Sequence, residues 1–186
     1  MNRAAFLDRD GVINRKAPGD GYVTCWEEMD LLPGVAQAVS LLNKAQFKVI
    51  IVSNQRCVAK GLVTTAEVDA IHRRLCRELA AVGAIIDGVY YCPHEVQPAC
   101  DCRKPEPGML LSAARHHQLD LAASWMIGDS EVDVTAGRRA GCKTARLTGF
   151  DKRPNGSADV IASSLIDAVP KILSFSCISC DKKNEH

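Results

Sequence analysis

Short β-branched runs alternate with helical patterns along nearly the whole of this 186-residue chain, and that alternation limits the fold more than any other feature. Arg3 to Leu7 reads as a strand, and Phe47 to Val52 as a strand buried on both faces, being a continuous apolar run. Gly88 to Tyr91, Ser124 to Ile127 and Thr144 to Leu147 supply three more, with a short last one at Val160 and Ile161. Between them lie helical stretches. Gly34 to Lys44 carries apolar residues at helical spacing after Pro33, and Thr64-Thr-Ala-Glu67 forms a capping box before a helix to about Val82. Gly108 to Gln118 follows Pro107, Glu131 to Ala140 is closed by Gly141, and Ser164 to Leu173 ends the series. Strands alternating with helices predict an α/β fold, a parallel sheet sandwiched by helices.

The length suits one domain, expected over residues 1–175, with 176–186 as a flexible tail. A hydrophobic fraction of 47% argues against disorder, and a net charge of +1 gives no global field that calls for nucleic acid or a membrane surface. The first apolar strand begins within a few residues of Met1 with no signal-type segment before it, so the expected location is cytoplasmic. Nine cysteines, odd in number and unevenly spaced, make a poor disulfide framework. Cys177 and Cys180 lack a second half-site and read as part of the tail. Cys25, Cys57, Cys76 and Cys142 show no partner pattern, and His72, His116 and His117 read as surface or packing residues on helices.

In open α/β sheets, ligands bind beyond the carboxyl ends of the strands. Asp8 and Asp10 follow the first strand; if extended, residues i and i+2 share a face, and Gly11 lets the chain turn after them. Ser53-Asn54-Gln55 follows the second strand, Asp129 to Asp133 follows Trp-Met-Ile-Gly, and Arg103-Lys104-Pro precedes a helix. A lone Asp-x-Asp is compatible with solvated loop acids, and a lone lysine with the surface. Several acids, a hydroxyl and two cations at strand ends instead describe a cradle for a phosphoryl group. Asp8 and Asp129 are hard oxygen ligands suited to Mg²⁺, while Lys104 and Ser53 can hold phosphoryl oxygens. One of the paired acids can attack or bind metal while the other carries a proton.

Cys92-Pro-His94 and Cys100-Asp-Cys102 can close a tetrahedral Cys₃His zinc site, the alternative being free cysteines. With four protein ligands such a zinc keeps no open position and is structural. It would hold the loop that leads into Arg103 and Lys104.

Together, Phe-Leu-Asp8-Arg-Asp10-Gly-Val-Ile-Asn14, Ser53-Asn54-Gln55, the Cys/His loop joined to Arg103-Lys104-Pro, and Ile-Gly-Asp129-Ser-Glu-Val-Asp133 resemble the haloacid dehalogenase superfamily of aspartate-nucleophile phosphatases. More narrowly they resemble its heptose bisphosphate branch, with histidinol-phosphate phosphatases as the alternative. A non-catalytic zinc-stabilised binding module is a third possibility of a different class. The resemblance implies a Rossmann-like core with no large cap domain. It makes Asp8 the nucleophile and Asp10 the acid and base. It places Mg²⁺ on Asp8, the Asp10 carbonyl and Asp129, with Asp133 supporting them. It assigns substrate contacts to Asp20, Gly21, Tyr22, Asn54, Gln55, Arg103 and Ser130. Arg56 replaces a usual Ser and adds a contact for a second phosphate. The implied partner is a small sugar phosphate, and the chain is expected to be a monomer.

Overall fold

The computed structural model describes residues 2–19, 21–149 and 158–181, with side chains described as far as 175. Six parallel strands form one sheet: β1 (Arg3–Leu7), β2 (Phe47–Asn54), β3 (Gly88–Cys92), β4 (Trp125–Gly128), β5 (Lys143–Leu147) and β6 (Val160–Ala162). Their order is β3-β2-β1-β4-β5-β6. From β1 the chain first builds outward through β2 and β3, then returns to the other side of β1 and builds through β4, β5 and β6. The strand order therefore reverses between β1 and β4, where the connections diverge and leave a crevice at the carboxyl edge.

Alternate residues of the central strands enter two separate cores. Ala5, Leu7, Val49, Ile51, Trp125 and Ile127 pack with α1 (Val35–Lys44), α2 (Thr65–Ala81) and α5 (Leu165–Asp181). Ala4, Phe6, Ile50, Val52 and Met126 pack with α3 (Gly108–His117) and α4 (Glu131–Ala140). This explains why the strands read as continuous apolar runs: both faces are covered, so neither needs polar residues. Among the described residues no cap domain interrupts the alternation, and no helix is long and apolar enough to cross a membrane.

The helix ends follow their local chemistry. The Thr64 hydroxyl accepts from the Glu67 N–H at 3.2 Å, and the Glu67 carboxylate accepts from the Thr64 N–H at 2.7 Å, giving the expected capping box. Two differences from the sequence pattern stand out. A 3₁₀ turn at Trp26–Glu28 has too few residues to show periodicity, and the backbone of α5 continues to Asp181 rather than ending at Leu173. Phe175 accounts for part of that extension by stacking edge-on against Trp125, with centroids 5.4 Å apart. The tail cysteines lie beyond the described side chains, and Asp20 lies outside the described residues.

Candidate active site

The acids gather where the strand order reverses. Leu7 pairs with Ile127, and the Asp8 N–H donates to the Ile127 carbonyl at 3.0 Å, which sets Asp8 level with the end of β4. One carboxylate oxygen from each of Asp8, Asp129 and Asp133 lies within 4.8 Å of the others. Gly128 makes this approach possible, since a Cβ there would overlap the Asp133 side chain. Gly11, at φ +91°, does the same for Asp129.

Lys104 reaches this cluster from the loop before α3. It is 3% exposed, and its ammonium donates to Asp133 Oδ1 at 2.6 Å, to Asp8 Oδ1 at 2.9 Å and to the Val52 carbonyl at 2.9 Å. All three donors are used. Burial works against the charged amine, but Asp8 and Asp133 more than offset it and raise its pKa. Burial pushes the Asp8 carboxyl up to about 7 despite that neighbour. The Lys104 backbone is fixed independently: its N–H donates to Asn54 Oδ1 and its carbonyl accepts from Asn54 Nδ2, both at 3.0 Å.

The acid cluster suits a divalent cation. Asp129 Oδ1 is buried without a partner, while Asp129 Oδ2 meets the Lys16 ammonium at 2.6 Å. Three hard oxygens from two segments, the end of β1 and the β4–α4 junction, one of them unpartnered, match the ligand chemistry of Mg²⁺. Asp10 stands apart. The strand ends at Leu7, so the two acids are not carried on one strand face as an extended segment would carry them. The Arg9 carbonyl accepts from the N–H groups of Val12, Ile13 and Asn14, closing a turn. The Asp10 carboxylate faces Arg9, Asn14 Nδ2 at 2.9 Å and Gln55 Nε2 at 3.1 Å. Burial raises its pKa, but Arg9 and these donors outweigh it and leave the group below the usual carboxylate range.

The remaining expected residues fall into three groups. Ser53 is buried beside the centre, its hydroxyl accepting from Gln55 Nε2 at 2.8 Å. Ser130 caps α4 and donates from its N–H and hydroxyl to Asp133 Oδ2, which holds that acid in place. Tyr22, Arg56 and Arg103 lie toward the Cys/His loop: Arg56 pairs with Glu95 at 2.6 Å, Lys60 sits 5.0 Å from the Tyr22 ring centroid, and Arg103 donates to the His94 carbonyl. The sequence pattern gave no role to Arg9 or Lys16 and left His72 as a surface or packing residue; it is buried. A 1120 Å³ cavity opens on the other side of the centre, touching it through Gly11, Lys16 and Asp129. It extends past Arg146 to Ser164, and among the described residues none of the expected substrate contacts lines it.

The Cys/His loop leaves the end of β3. Cys92, Cys100 and Cys102 present sulfurs 3.1 to 3.5 Å apart, with His94 Nδ1 at 3.5 Å from Cys92 and 3.3 Å from Cys102. Three thiols and one imidazole nitrogen facing a common point form a set that could hold zinc.

The chain is similar to known proteins. A curated D-glycero-beta-D-manno-heptose-1,7-bisphosphate 7-phosphatase of Rhodopseudomonas palustris is 44% identical over 155 residues, covering 80% of this chain and 84% of the relative. The chain belongs to the heptose-bisphosphate phosphatase family. Within this family, a D-glycero-alpha-D-manno-heptose-1,7-bisphosphate 7-phosphatase of Mycobacterium tuberculosis is 39% identical over 166 residues, covering 86% of each chain. The crystal structure of the D,D-heptose 1,7-bisphosphate phosphatase of B. bronchiseptica, complexed with magnesium and phosphate, superposes with a TM-score of 0.83 at 33% identity. It covers 93% of this chain and 99% of its own. A family model described as HAD-hydrolase-like matches residues 101–168. The haloacid dehalogenase-like fold expected from the sequence is therefore the fold the chain has.

Proposed function

We propose that this chain is a Mg²⁺-dependent phosphatase that hydrolyses the 7-phosphate of D-glycero-D-manno-heptose 1,7-bisphosphate. The observation that carries this is the Lys104 ammonium set between Asp8 and Asp133 beside Asp129, in a family named for that substrate. Asp8, Asp129 and the Asp10 carbonyl would hold Mg²⁺, with Asp133 supporting them, and when bound the ion offsets negative charge on the phosphoryl oxygens.

A carboxylate oxygen of Asp8 attacks phosphorus while the bond to the sugar oxygen breaks. Asp10, whose donors favour its ionised form in the free protein, has to carry a proton once substrate is bound, and it gives that proton to the leaving oxygen. In the second half, Asp10 takes a proton from water as the water oxygen attacks phosphorus, and Asp8 leaves as a free carboxylate. Lys104 and Ser53 hold the transferring oxygens, with the ammonium shared between the phosphoryl group and Asp8. Gly21, Tyr22, Asn54, Gln55, Arg56, Arg103 and Ser130, with Asp20, are assigned to the rest of the substrate. Arg56 would exchange Glu95 for the second phosphate. Cys92, His94, Cys100 and Cys102 would hold a structural zinc.

Histidinol phosphate is not favoured, since the relatives carry the heptose name. Relatives named for both anomers match at similar identity, so either anomer is a candidate. The test is phosphate release with Mg²⁺ from both heptose bisphosphate anomers and from histidinol phosphate. The heptose substrates should give the higher kcat/KM, and Asp8→Asn should abolish turnover without changing the circular dichroism spectrum. Turnover surviving in Asp8→Asn would remove the nucleophile assignment. No release from any of the three substrates would remove the proposed activity.

A further inference from the structure

Behind Asp10 lies a buried cluster with no part in the chemistry above. Arg9 is 1% exposed and sits between the two catalytic acids in sequence, yet its guanidinium serves only one of them. Its Nε and Nη2 donate to Asp10 Oδ1 at 3.2 and 3.0 Å, and Nη2 also reaches Oδ2 at 2.9 Å. The other arm, Nη1, lies 3.3 Å from His72 Nε2. A guanidinium has donors and no acceptor, so Nε2 accepts and the ring proton resides on Nδ1. His72 is thus neutral. Burial and the Arg9 charge agree with this, holding the ring down to about 4.

His72 is 3% exposed on the buried face of α2, among Val68, Ile71 and Leu75, and rests against the Tyr91 ring with centroids 5.4 Å apart. Its Nδ1 has no partner among the described residues. A neutral ring here leaves a buried N–H unsatisfied, a cost an apolar residue would not carry. What the ring supplies is one acceptor for the far side of Arg9. A free arginine has many rotamers, whereas one gripped at both ends presents its flat fork in a single plane.

We infer that Arg9 and His72 are positioning residues that orient the Asp10 carboxyl for proton transfer to the leaving oxygen, an inference that rests on Asp10 being the proton donor proposed above. His72 anchors Arg9, Arg9 sets the plane of Asp10, and Asn14 and Gln55 complete the grip. The device works on the proton-transfer half of the chemistry alone. The nucleophile Asp8 is held by a different cation, Lys104.

This separation can be read from leaving groups. A sugar oxygen needs a proton to leave, but the phenolate of p-nitrophenyl phosphate does not, and kcat/KM reports the step in which the leaving group departs. His72→Phe should lower kcat/KM on the heptose bisphosphate by about tenfold or more and on p-nitrophenyl phosphate by less than about threefold, general acid catalysis being worth roughly 10²–10⁴. His72→Gln, whose amide oxygen can accept from Arg9, should restore the ratio of the two constants. Arg9→Lys, which keeps the charge but loses the fork, should lower it as His72→Phe does. Equal losses on both substrates, no loss on either, or a His72→Gln ratio as low as that of His72→Phe would each overturn the inference. If His72→Phe does not fold, wild type, His72→Gln and Arg9→Lys decide alone: the ratio must hold in His72→Gln and fall in Arg9→Lys. Wild-type protein inactive on both substrates would instead sink the phosphatase assignment.

Discussion

The acid centre and the Cys/His loop both bring charged or metal-loving groups together, but by opposite means. Asp8, Lys104 and the Asp129–Asp133 segment come from three separate parts of the chain, and they are fixed by strand register, by the Asn54 amide and by the cap of α4 respectively. The four Cys/His ligands come from one short stretch leaving β3, with exposed Val96 at 49% and no buried core of its own. The centre is a product of the whole fold, whereas in the loop only Cys92 belongs to the sheet, and the proposed zinc would hold His94, Cys100 and Cys102 to it. A group held by the fold should transmit its loss to the fold, and one held by a metal should fail locally.

Removing the buried cation is the hardest test of that contrast. Lys104→Met leaves Asp8 and Asp133 buried without their counter-charge, which should cost about 3–5 kcal/mol in urea unfolding without Mg²⁺. Added Mg²⁺ should recover part of the loss. A cost below about 1 kcal/mol would mean the acids are far better solvated than their burial implies.

A smaller effect should come from His72. Its folded pKa of about 4 lies below the unfolded 6.5, so the unfolded chain binds more protons between these values and stability falls as pH drops. The contribution is complete above pH 6.5 and lost toward pH 4, a total of about 3 kcal/mol. His72→Gln should flatten this part of the stability–pH curve; an unchanged slope would mean that the ring titrates normally.

The smallest effect on the sheet should follow from Cys100→Ser with Cys102→Ser. About one equivalent of zinc should be lost, and amide exchange should quicken across residues 93–103. The β1, β2 and β4 amides should stay protected. Collapse of their protection would erase the distinction between the two regions.

Most of the fold was legible because both faces of the sheet are buried. Phe47 to Val52 and Trp125 to Ile127 could hardly be other than interior strands, and the caps at Thr64 and Gly141 are local chemistry. The acids, Lys104 and the Cys/His set were legible because each falls at a strand end or in a dense motif. Arg9 and His72 were not. They are separated by 63 positions, and their contact depends on how α2 docks against the turn after β1. Neither residue type signals it: an arginine beside two acids resembles a surface ion pair, and a histidine on an apolar helix face resembles packing. Lys16 escaped for a similar reason, because only the turn at Gly11 brings it back to Asp129.

The two-way amide pairing between Asn54 and the Lys104 backbone works as a mechanical clutch. It ties the lysine to the end of β2, so movement or resizing of the segment between β3 and Arg103 need not disturb the ammonium. The rim of the site could therefore be remodelled for a different sugar while the machinery beneath it stays in tune.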